Sequence, residues 1–190
     1  MTMSLNEVEA MVRKAARGAG LSWGVAEEAG RAARWLCALG HDGVGAAAKA
    51  LVGPKRDHST FALGAGLADC AAGLRNGPAQ FKDVRGPQMF LPFAAMAAKM
   101  LQETVAVDCD WRCAMTNGRS LTLSNDFPDH ASIVTVRVVD VSLGDECPMS
   151  RAMPDPQDWA QLEALARLTY APATDESRLN GAGAGLSDND

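Results

Sequence analysis

Aromatic residues are scarce, at 5% of 190, with five phenylalanines, four tryptophans and a single tyrosine. That shortage argues against a core built on large rings and points to close backbone packing, for which the 18 glycines and the many alanines are suited. Histidine is rarer still: His41, His58 and His130 all fall in predicted loops without ligand spacing, so no metal is expected. The five cysteines, Cys37, Cys70, Cys109, Cys113 and Cys147, are odd in number and lack C-x-x-C spacing. They read as free thiols of a reduced compartment, and Cys109 and Cys113 as core packing on one strand face.

Positive charge is in the minority, with 18 lysines and arginines against 23 acids and a net charge of -5. General affinity for nucleic acid or an anionic membrane is thereby disfavoured. No apolar run reaches the roughly 20 residues of a bilayer span, since the longest, after Pro87, is broken by Lys99. No basic segment followed by an apolar one opens the chain, and a soluble, cytoplasmic protein is expected. Internal repeats and cofactor fingerprints are also missing, and no cofactor is expected.

What is present centres on residues 87–141, expected to form a core helix and antiparallel strands within a single domain spanning 1–190. Gln88 to Leu101 is apolar nearly all round, as a buried helix is, with Pro92 in its first turn. From Thr104 to Thr116 the pattern alternates, with Val105, Val107, Cys109, Trp111, Cys113 and Met115 on one face and Asp108, Asp110 and Arg112 on the other. A bulged loop Thr116-Asn117-Gly118, with Gly118 left-handed, would pair Leu121 with Cys113 and Leu123 with Trp111, keeping both leucines on the apolar face. Asn125 to His130 reads as a turn and Ala131 to Val141 as a strand buried on both faces, interrupted by Arg137.

Residues 1–40 read as a helical hairpin. Ser4-Leu5-Asn6-Glu7 is a capping box that opens its first helix, and Gly18 and Gly20 close it. The second runs from Ser22 to Gly40 with Ala26, Ala29, Ala33 and Leu36 on one face. Weaker helices are expected over Val44–Leu51 and Leu63–Leu74, on either side of a loop from Gly53 to His58. A helix within 157–170 and a Gly-rich tail, 171–190, complete the chain.

Gly20-Leu21-Ser22-Trp23-Gly24 has the G-x-S-x-G form of a nucleophile elbow, but it lies between two helices, where Ser22 serves as an N-cap. Glu27, Glu28, Arg31 and Arg34 share one helix; surface ion pairing is the plain reading, and a carboxylate base beside a guanidinium anion clamp the functional one. Arg137, mid-strand, calls for an acidic partner, Asp108 or Asp110, or else a ligand. In the tail, Gly181, Gly183 and Gly185 with Arg178 offer backbone N–H groups and charge to an anion, whereas Asp188-Asn189-Asp190 lacks the spacing of a calcium loop.

Ser4 to Ala10, Ala15 to Gly20, Trp23 to Gly30 and the tail from Ser177 to Asp190 together resemble a bacterial family of uncharacterised proteins. The resemblance implies a bacterial, cytosolic protein and transfers no site. The expected fold class is α+β: an N-terminal helical hairpin, a buried central helix, a mainly antiparallel sheet, a C-terminal helix and an extended tail. Two functions fit. One is a non-catalytic binding or accessory protein, self-associating or with a protein partner. The other is a cofactor-independent enzyme on a small anionic metabolite, with Glu27 or Glu28 as base, Arg31, Arg34 or Arg178 as clamp and the tail as a lid.

Overall fold

The computed structural model describes residues 1–51, 60–124 and 127–170. Expectations for the Gly53–His58 loop, for Asn125, and for the tail with Arg178, Gly181, Gly183 and Gly185 lie outside the described residues. The fold is α+β. Helices α1 (Leu5–Gly18), α2 (Trp23–Ala38), α3 (Gly43–Leu51) and α4 (Thr60–Asp69) precede the sheet, α5 (Phe90–Leu101) enters it, and α6 (Pro156–Arg167) closes on the first helices. Strands β1 (Met3–Ser4) and β7 (Arg151–Ala152) form a small antiparallel pair. The main sheet is antiparallel throughout, in the order β2 (Ala79–Arg85), β6 (His130–Val139), β3 (Thr104–Cys109), β4 (Arg112–Thr116), β5 (Leu121–Leu123).

Helix α1 begins with the capping box read from the sequence: the Ser4 N–H donates to Glu7 Oε2 (2.6 Å) and the Glu7 N–H to Ser4 Oγ (3.2 Å). Ser22 caps α2 by accepting the Val25 N–H at 3.4 Å, an N-cap and not a nucleophile elbow. Two glycines set how closely the helices approach. A Cβ on Gly30 would lie 2.7 Å from the Glu9 carbonyl oxygen of α1, and one on Gly18 would lie 1.8 Å from the Leu165 carbonyl oxygen of α6. Gly18 is thus the last residue of α1 and its contact with α6, while the chain turns at Gly20 with φ 94°.

The stretch from Thr104 to Thr116 is two strands, not one. A two-residue turn at Asp110-Trp111, with Asp110 at φ 52°, folds β4 back so that Cys109 pairs with Arg112 and Val107 with Ala114. That turn changes the face of everything after it. Ala114 and Thr116 join Val105 and Val107 in the core, while Cys113 and Met115 move to the opposite face with Asp108. The expected partners of Leu121 and Leu123 are corrected in turn: Leu121 pairs with Thr116 and Leu123 with Ala114. Both leucines still reach the core side, and Gly118 is left-handed at φ 91° as expected.

Strand β6 is interior but is buried on one face only. Val134 and Val136 are fully buried, whereas Ile133 is 43% exposed and Arg137 faces solvent. Its neighbour β2 was not foreseen. In β2 and β6 alike, alternation breaks at the step where Asp83 takes φ 55°: Lys82-Asp83 and Ser132-Ile133 are exposed as pairs, and Val84 and Ala131 turn inward. Helix α5 covers the inner face, its Phe90 meeting Phe81 of β2 with ring centroids 4.8 Å apart, while Phe93 lies against Gly64 of α4. It is not buried all round, because Met96 and Met100 form an outward stripe.

Candidate functional site

The four charged residues of α2 are brought together as surface ion pairs. Arg31 holds Glu28 at 2.6 Å and Glu27 at 3.8 Å, and Arg34 reaches across to Glu9 of α1 at 2.9 Å. Glu28 Oε2 is buried without a hydrogen-bond partner, yet its other oxygen is taken by Arg31. None of the three cavities below is lined by this group. As exposed pairs these contacts are worth about 0–1 kcal/mol each.

Arg137 has the partner its position demanded. Its Nε donates to Asp108 Oδ2 at 2.7 Å, diagonally between β6 and β3, with both side chains partly solvated. Burial pulls the Asp108 carboxyl upward, but bonds from Arg137 and Cys113 outweigh it and hold the group below the ordinary carboxylate range. The Cys113 thiol is pushed up to about 11 by burial and by Asp108, which keeps it protonated and unreactive. Around this pair lie Thr135, which accepts from Gln80 Nε2 at 3.4 Å, and the apolar Ile133, Met115 and Val139, with Ala106 fully covered and Trp111, 81% exposed, on the turn at one end. The described residues leave this outer face of the sheet to solvent.

Two shallow cavities meet at the strand ends. The larger, about 730 Å³, lies between the C-terminus of α5 and a strap of residues 140–145, and includes Lys99, Glu103, Asn117, Arg119 and Asp140. The smaller, about 470 Å³, is lined by Arg75, Asn76, Glu103 and Arg137 among others. Their charges are largely spent on one another: Arg75 on Glu103 (3.2 Å), Arg119 on Asp145 (3.4 Å). The strap is pinned by side chains, the Thr104 hydroxyl donating to the Val141 carbonyl (2.6 Å) and Asn117 Nδ2 to that of Leu143 (3.1 Å). A third cavity of about 210 Å³ includes Cys37, His41, Asp42 and Arg151. Burial raises the Cys37 thiol, which is poorly suited to act as a nucleophile. Beside it, Asp158 of α6 faces Asp42 across Gly45; burial first, then Asp42 and Asp155, raise its carboxyl. Among the described residues no three His, Cys, Asp or Glu side chains are grouped to hold a metal ion.

Residues 3–74 match the model of a family described as a protein of unknown function, DUF3726. The match runs from β1 through α4 and ends before the main sheet begins. It supports an uncharacterised domain family on the helical side of the resemblance; the tail motif lies beyond it. No curated protein and no solved structure matches the chain. Among the described residues no helix is long and apolar enough to cross a membrane.

The open sheet face was missed because Trp111, Cys113 and Met115 alternate in step with Val105 and Val107. Only the turn separates the two sets, and Asp110-Trp111 carries no glycine to announce it.

Proposed function

We propose that this protein is a non-catalytic binding or accessory protein that works through the outer face of its sheet. One observation carries the reading: around the Arg137–Asp108 pair that face mixes Ile133, Val139 and Met115 with Gln80, Lys82 and Thr135, and the described residues leave it to solvent. An antiparallel sheet with one wet side ordinarily alternates polar residues outward. Here Ile133, Val139 and Met115 stand outward among polar residues such as Gln80 and Thr135, beside the exposed Trp111. Apolar side chains grouped on one exposed face support an interaction site. The carboxylates and guanidiniums of α2 give less support to a catalytic reading, since they neutralise each other on an open helix surface.

The test is a photo-crosslinking amino acid placed at Ile133, with the same residue at the exposed Trp23 as control. Irradiation in cells producing the protein is expected to give protein adducts from position 133 and few from position 23. Adducts from neither position, or equally from both, would overturn the reading.

A further inference from the structure

We propose that Asp175 and Glu176 of the tail dock on a cationic face of α1 made by Arg13, Lys14 and Arg17, so that the chain carries its own occupant for an acidic-peptide site. The inference concerns the helical side of the molecule and does not depend on the sheet-face reading.

The face follows from spacing. Positions 13, 14 and 17 fall within about 100° of one another around a helix, on the side away from the buried Val12, Ala15 and Ala16. Arg13 borders Gly30 of α2, and Lys14 borders Tyr170 just beyond α6. Among the described residues none of the three cations has an acidic partner, unlike Arg31 and Arg34 of α2 and Arg167 of α6. The acids of α1 itself are already engaged, Glu7 in the capping box and Glu9 with Arg34.

Two of the three cations are held in place. The Arg17 guanidinium stands 4.4 Å from the Trp23 ring centroid and donates to the Leu21 carbonyl, and the Lys14 ammonium stands 5.9 Å from the Tyr170 centroid. A side chain already ordered loses less freedom when it takes an anion. Cations at this place also complement helix ends, since α1 and α6 finish together at the contact of Gly18 with Leu165. Each helix C-terminus carries only about half a negative charge. Two ends therefore answer about one cation of the three, and an excess of positive charge is left.

Charge and reach select the occupant. Residues 171–190 contain four acids, Asp175, Glu176, Asp188 and Asp190, against the one Arg178, in a chain whose net charge is -5. Most of the net negative charge therefore lies in the tail. Asp175 is five residues past Tyr170, which already stands at Lys14, so it reaches at most about 18 Å from there. Positions 13 to 17 extend over only about 6 Å of helix. A tether this short gives the two acids an effective concentration on the order of mM at the face. An acidic segment of another protein would have to compete with that from solution. The contact is reversible and weakened by salt, because its groups border water.

Carbodiimide coupling, which joins a lysine amine to a carboxylate in contact with it, tests this on the full chain, with the linked peptides mapped by mass spectrometry. The Lys49–Asp129 pair, 2.9 Å apart, serves as internal standard. Lys14 is expected to link to Asp175 or Glu176. Arg13→Glu combined with Arg17→Glu leaves Lys14 and the tether in place; it is expected to lower that yield at least fivefold against the standard, with circular dichroism unchanged. Should the double variant fail to fold, Arg13→Glu alone, at an exposed position, is expected to lower it at least twofold. In an equal mixture of isotope-labelled and unlabelled chains, the links are expected to join segments of the same label. No link from Lys14 to either acid, a yield that persists in the folded variant, or links that join unlike labels would each overturn the inference. Adduct formation at Ile133 reads the sheet face separately, so either proposal can fail while the other stands.

Discussion

Gly18 shows how much a missing side chain can decide. With the Leu165 carbonyl oxygen only 1.8 Å from where a Cβ would stand, Gly18→Ala must push α6 away from α1. Overpacking of that kind costs about 1–3 kcal/mol, and urea unfolding is expected to show a loss in that range. Gln102 is the opposite case: it ends α5 in the left-handed region at φ 57°, where glycine carries no penalty. Gln102→Gly is expected to raise stability by about 1 kcal/mol, measured the same way. Asp158 gives a pH signature. Its carboxyl is raised in the folded protein, so the unfolded chain holds fewer protons just above the ordinary carboxylate range, and stability falls as pH rises through that window. Asp158→Asn is expected to flatten that part of the stability–pH profile. An unchanged slope would refute the assignment.

At the scale of elements, the capping box is the clearest case of structure readable from residues. Ser4→Ala removes a bond present in the fold and is expected to cost about 0.5–2 kcal/mol in thermal or urea unfolding. The helical hairpin, α3, α5 and α6 were legible because helix signals are local: caps, glycine stops and a repeating apolar face lie within a few residues of one another. Sheet register was less legible because it depends on partners far along the chain. Strand β2 offers only Ala79 and Phe81 as alternating apolar residues before Asp83 breaks the pattern, and its pairing with β6 is 45 or more residues distant. The Asp110-Trp111 turn hid inside a perfect alternation, and one unseen turn moved Cys113, Met115 and Trp111 to the wrong face. For the same reason the Arg137–Asp108 pair could be anticipated, both residues being polar on largely apolar strands, while the place of Met115 and Cys113 beside it could not.

At the scale of the molecule, the helices lie on one side of the sheet and the proposed docking face is on the other. A net charge of -5 acts against the compact state through self-repulsion. Salt screens the repulsion, with a Debye length near 10 Å at 0.1 M. Raising the ionic strength is therefore expected to raise the urea midpoint slightly; a lowered midpoint would mean that the surface ion pairs outweigh the repulsion.

The contact between α1 and α6 also sets a timetable. Residues 5–18 leave the ribosome long before residue 165, yet the surface at Gly18 is closed by Leu165, and β1 waits for Arg151 and Ala152. At about 5–20 residues per second, the roughly 150 residues between them take about 8–30 s to synthesise. Through that interval α1 has α2 to pack on while its α6 side stays uncovered, so the protein completes its first layer last.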